Sequence, residues 1–95
     1  MYELIPRFNS RQSFYGKAQV KIIEDNITYN EILYSYGTEV AIYTKDKMSN
    51  LKQFTYLGHY SMTTTTHQKE FFKQHGLSDK EIKELFKNGV LEREY

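Results

Sequence analysis

Cysteine is absent from this 95-residue chain, which excludes disulfides, thiolate zinc sites and cysteine nucleophiles. Tryptophan is absent as well, and proline occurs once, at Pro6. No excess charge of either sign is present, with 13 Lys plus Arg against 12 Asp plus Glu. A duplex-DNA binder usually carries a clear basic excess, and a DNA mimic needs an acidic one, so both are disfavoured. No apolar run approaches the roughly 20 residues that span a bilayer. The opening stretch MYELIPRFNS lacks the basic and apolar regions of a secretory signal. Glycine-rich phosphate loops, motif-paired acids and a nucleophile–base pattern are also missing, and the chain therefore reads as a non-enzyme.

What the chain does have is aromatic side chains, nine Tyr and six Phe. Tyrosine suits half-buried strand positions and interfaces alike. The length allows one domain. Residues 1–15 are irregular in pattern, and Pro6 disfavours helix at Ile5. This arm either packs through Ile5, Phe8, Phe14 and Tyr15 or stays partly mobile.

From Lys17 the period becomes two, with Ala18, Val20 and Ile22 on one side. Asp25-Asn26 is a turn pair. A second strand is expected over about Ile27 to Tyr36, broken at Gly37-Thr38. A third runs over Glu39 to Thr44, with Val40 and Ile42 facing one way. After a polar connection over 45–50, a fourth strand is expected over Phe54 to Ser61, with Gly58 marking a bulge or a close backbone approach. Two helices follow, the first over the segment containing Phe71 and Phe72 and closed by Gly76. The second opens at Ser78 with Glu81 completing a capping box and carries an apolar stripe of Ile82, Leu85 and Phe86. The expected fold is α+β, a four-stranded antiparallel meander over 17–62 followed by two C-terminal helices over 65–89 on one face. The tail VLEREY either docks or frays.

The run MTTTTHQKEFF stands at the strand-to-helix joint. Thr65 with Gln68 fits a capping pattern, with Thr64 as the next choice. A catalytic threonine needs a base that an internal run does not supply, although a helix N-terminus also suits an anion. His67, Phe71 and His75 share a helix face, yet the two histidines stand about 12 Å apart along the axis. They cannot share one zinc. A metal site would need His59 with one of them, His67 first, and a carboxylate such as Glu70 or Asp79; no cofactor is expected, and the histidines are read as surface or rim residues. The helix charges, Glu70 among them, read as a solvated face.

Three stretches in order, SFYGKA (13–18), LYSYGTEVA (33–41) and YSMTTTTHQKEF (60–71), resemble a small uncharacterised domain found in proteins of phages and mobile genetic elements. That resemblance implies a bacterial mobile-element context and a cytoplasmic location in the host. It further implies a binding role, such as an anti-CRISPR inhibitor of Cas9 or its guide-RNA complex that is not a DNA mimic. Exposed Tyr34, Tyr36, Tyr43 and Tyr60 are the candidate partner contacts. The alternative is a small nucleic-acid-binding accessory factor that stacks bases on sheet tyrosines beside surface lysines.

Overall fold

The computed structural model describes residues 1–8 and 16–94. Ser13, Phe14 and Tyr15, and with them half of the SFYGKA stretch, lie outside the described residues. The chain forms β1 (Tyr2–Glu3), β2 (Ala18–Glu24), β3 (Thr28–Ser35), β4 (Thr38–Asp46), β5 (Lys52–Tyr56), α1 (Met62–Gln74), α2 (Asp79–Asn88) and β6 (Val90–Arg93). All strands join one antiparallel sheet in the order β1 to β6. The class is α+β as expected, but the sheet has six strands rather than four. The two additions are edges of two and four residues, too short to show a period in sequence. The tail therefore docks, with Phe54 opposite Leu91 and the Arg93 guanidinium reaching Gly76 O at 3.2 Å.

Alternation decides which face is buried. Ala18, Val20, Leu33, Ala41, Tyr43 and Phe54 point toward the helices and are almost fully buried. Phe71 and Phe72 anchor α1 on this layer, while Ile82 and Leu85 anchor α2. Phe86 stacks on Tyr56 with ring centroids 4.2 Å apart. The opposite face, with Ile32, Tyr34, Ile42 and Thr55, carries no helix and stays part-exposed.

Three local expectations are corrected. Val40 and Ile42 do not face the same way, because Leu33 pairs with Ala41 and Tyr34 with Glu39, leaving Val40 as an unpaired bulge residue. Val40 is buried, and its carbonyl accepts from Leu57 N–H at 3.1 Å and from Gln68 Nε2 at 2.9 Å. Gly58 is not a mid-strand bulge, since β5 ends at Tyr56. In the arm, Ile5 and Phe8 are exposed while Leu4 is buried and donates its N–H to Ala18 O at 2.8 Å.

Helix ends follow capping chemistry. Ser78 and Glu81 form the expected reciprocal box. Gly76 closes α1 in a left-handed conformation with Leu77 N–H on Phe72 O and Gly76 N–H on Lys73 O, a Schellman arrangement. At the start of α1, however, neither Thr64 nor Thr65 is the cap. Ser61 is, its hydroxyl accepting from Thr64 N–H at 3.1 Å. Thr65 and Thr66 instead turn their hydroxyls back to Ser61 O and Met62 O, the i−4 bond that lets a threonine sit inside a helix. Ser61→Ala is accordingly expected to cost about 1 kcal/mol and Thr65→Ala well under that, measured by urea unfolding of the two variants.

Candidate partner-binding surface

Three polar constellations arise from this fold, and two of them are consumed internally. On the first, Ser35 Oγ lies 2.9 Å from Thr64 Oγ1 and 2.8 Å from His67 Nδ1. All three residues are buried, with His67 fully so. His67 is thus a core residue, not the surface or rim histidine expected, because α1 turns that stripe onto the end of β3. The hydroxyl–imidazole pair has no access to a substrate in this conformation. Thr64, expected as a cap, is a member of this buried network.

The second constellation centres on Glu31. Its carboxylate accepts from Tyr2 Oη at 3.0 Å, Tyr29 Oη at 2.6 Å and His75 Nε2 at 3.1 Å. One buried side chain therefore ties together β1, β3 and the end of α1. Burial alone pushes the Glu31 carboxyl up, but the hydrogen bonds and the charge of His75, with the two phenols, outweigh it and hold the group below its usual range. Tyr2 is pushed up to about 12, by burial first and by the Glu31 charge and hydrogen bond second. A carboxylate with a lowered folded pKa contributes stability at higher pH and loses it as pH falls through its folded value. Wild-type stability is therefore expected to fall as pH drops below the normal glutamate range, and Glu31→Gln to flatten that fall while costing about 1.5–3 kcal/mol at neutral pH. Urea titrations at several pH values measure both. The cavity beside this group, about 430 Å³, is rimmed by Glu24, Lys45, Lys47 and Asn50.

The remaining sequence candidates separate in space. Tyr43, expected as an exposed contact, is buried, its ring stacked on His75 at 4.0 Å between Glu31 and Phe54. Tyr60 is exposed in the loop before α1. His59 bonds Thr65 Oγ1 at 3.2 Å. Glu70 is buried rather than on a solvated face, because its carboxylate accepts from Arg7 and Phe8 N–H, both at 3.0 Å, and from Gln74 Nε2 at 2.6 Å. His59, His67 and Glu70 are thus each engaged in different contacts. Among the described residues, no three His, Asp or Glu side chains are grouped to hold a metal.

The third constellation brings Tyr34 and Tyr36, two of the four candidate contacts, together in a concavity of about 450 Å³ on the open face. Met1, Gly16, Lys17, Gln19, Lys21 and Gly37 complete its wall. The register places it, since Gln19 pairs with Tyr34 and Tyr34 with Glu39. Tyr36 and Gly37 form a two-residue hairpin loop, closed by Ser35 opposite Thr38, with φ of 52° and 81°. Both positive values make this a type I′ turn, in which Asn-Gly is the favoured pair. A tyrosine in the left-handed region costs about 1–3 kcal/mol. The strain sets the Tyr36 ring beside the His67 ring at 5.9 Å and under the Lys17 ammonium at 5.6 Å. Tyr34 Oη donates to Glu39 at 3.2 Å. Among the described residues, Lys17 and Lys21 make no salt bridge, whereas Lys47, Lys73 and Arg93 do. The period-two alternation that puts Ala18 and Val20 on one side of β2 puts Lys17, Gln19 and Lys21 on the other, and it is the signal in sequence for both lysines.

No helix among the described residues is long and apolar enough to cross a membrane. Comparison with curated proteins and with solved structures finds no match to this chain. The sequence model of a family of unknown function, DUF8033, matches residues 2–88, and the chain belongs to that family.

Proposed function

We propose that this chain is a non-enzymatic binding protein that docks on a host protein through the hairpin end of its open sheet face. Tyr34 and Tyr36 act as the anchors, and Lys17, beside the Tyr36 ring, meets a carboxylate-bearing segment of the partner. The observation that carries this reading is Tyr36, held at a left-handed turn position that favours asparagine, and lining a concavity with two lysines that make no salt bridge among the described residues. Strain of this kind gathers at ligand clamps, and tyrosine is a preferred interface anchor. Burial of the Ser35–His67 pair and saturation of Glu31 support a binding role over a catalytic one. Near-balanced charge favours contact with a protein surface over imitation of DNA. The resemblance to mobile-element proteins makes Cas9, free or guide-loaded, in the cytoplasm of a bacterial host, the first partner to test.

A second reading is single-stranded nucleic acid, favoured by the same two tyrosines standing beside Lys17 and Lys21. The two readings are separated by titrating fluorescently labelled protein with purified Cas9, with and without guide RNA, and with single-stranded oligonucleotides over a range of salt. Protein binding with a shallow salt dependence supports the first reading. Oligonucleotide binding that falls steeply with salt supports the second.

A further inference from the structure

Among the described residues, the outer side of β2 is covered along its first half alone. β1 pairs Tyr2 with Val20 and Glu3 with Gln19, and Leu4 N–H bonds Ala18 O. By the alternation of an antiparallel ladder, the backbone groups of Ile22 and Glu24 point the same way as those of Ala18 and Val20. No described strand meets them. Unpaired edges of this kind are templates for another chain. The side chains here are apolar, Ile22 and Ile23 being 45% and 47% exposed, and Ile27 and Met48 at the adjoining turns 61% and 83%. Lys47 N–H donates to Ile27 O at 2.9 Å, which brings those two turns together.

We propose that this edge is the interface of a homodimer, in which β2 pairs antiparallel with β2 of a second copy across a two-fold axis at Ile23. The register follows from three constraints. Directly opposed residues share a face, so each residue opposes one of the same parity. A register centred on Ile22 sets Glu24 of the second copy opposite Val20, whose outward side Tyr2 already occupies. A register centred on Glu24 sets two carboxylates face to face, which is unfavourable. Centring on Ile23 pairs Ile22 with Glu24 of the second copy through their outward backbone groups and sets Ile23 against its own copy. It also brings Asp25 of each chain to the end of β1 of the other, near Lys21 and opposite to it in sign. Lys21 makes no salt bridge among the described residues. The edge is thus complementary to itself in charge and in apolar contact, which selects a second copy as its occupant over a foreign strand. Both helical layers then lie on one side of a continuous sheet, and both tyrosine concavities on the other.

The absence of cysteine makes the test clean. Ile23→Cys introduces the one thiol at a non-hydrogen-bonded pair, where Cα atoms stand about 4.5 Å apart and a disulfide can close. Under mild oxidation this variant is expected to form a covalent dimer well before Tyr60→Cys, a control at an exposed loop residue. Sedimentation equilibrium of the unsubstituted chain is expected to show a dimer, weakened about tenfold or more by Lys21→Glu. A monomer up to the highest soluble concentration overturns the proposal. So does cross-linking of Ile23→Cys no faster than that of the control.

Discussion

Phe54→Ala is expected to remove about 3–5 kcal/mol of stability. A domain of this length has a total of about 5–14 kcal/mol, so a large share of the folded population is at stake at physiological temperature. Phe54 is fully buried at the middle of β5, with ring centroids of Tyr43, Phe72 and His75 at 5.2, 6.2 and 6.2 Å. It joins the strand layer to α1 and, through its pairing with Leu91, to β6. Truncation leaves a cavity among rings that cannot all close in on it, because Tyr43 is fixed by its stack on His75 and Phe72 by its helix. Urea unfolding should show a lower midpoint with an unchanged slope. Phe8→Ala, at a 60% exposed aromatic, should stay within about 0.5 kcal/mol of wild type. Equal losses at the two positions would contradict the core described above.

Tyr36→Asn is expected to separate folding from binding. Asparagine is at home in the left-handed turn that tyrosine occupies under strain, so stability should hold or rise by up to about 1 kcal/mol, a gain of several degrees in melting temperature. The same substitution removes an anchor of the concavity, and truncating an interface tyrosine commonly costs about 2–4 kcal/mol of affinity. Combined with Tyr34→Ala, the loss of partner affinity should exceed about a hundredfold. Circular dichroism melts and a binding titration read the two effects independently. A purely structural role for Tyr36 predicts the reverse, a destabilised variant with normal affinity.

Much of the fold is legible from short-range pattern. The alternation of Ala18, Val20 and Ile22, the Asp25-Asn26 turn, the Ser78–Glu81 box and the Phe71-Phe72 anchor each depend on neighbours within a few residues. What escaped was fixed by distant partners. β1 and β6 exist because β2 and β5 offer edges to pair with, not through their own periodicity. The bulge at Val40 reverses the facing that strict alternation assigns to it, and it is stabilised by Gln68 from α1. Ser61 displaces the threonines as cap because a threonine hydroxyl is equally satisfied by an i−4 carbonyl inside the helix. Glu31 and His75 lie 44 residues apart, and no spacing rule connects them. The candidate surface was partly legible: Tyr34 has the parity of the open face and Tyr36 adjoins the Gly37 turn signal, whereas Tyr43 has the parity of the covered face and went inside.

The proposed function requires that the Tyr36 side chain touch a partner in the cell. Replacing Tyr36 by the photo-cross-linking residue benzoylphenylalanine, in cells that naturally express the protein, tests it most directly. A discrete adduct on irradiation is predicted at position 36 and none from the same residue at Lys83, exposed on α2. No adduct at position 36, or the same adduct from both positions, contradicts it.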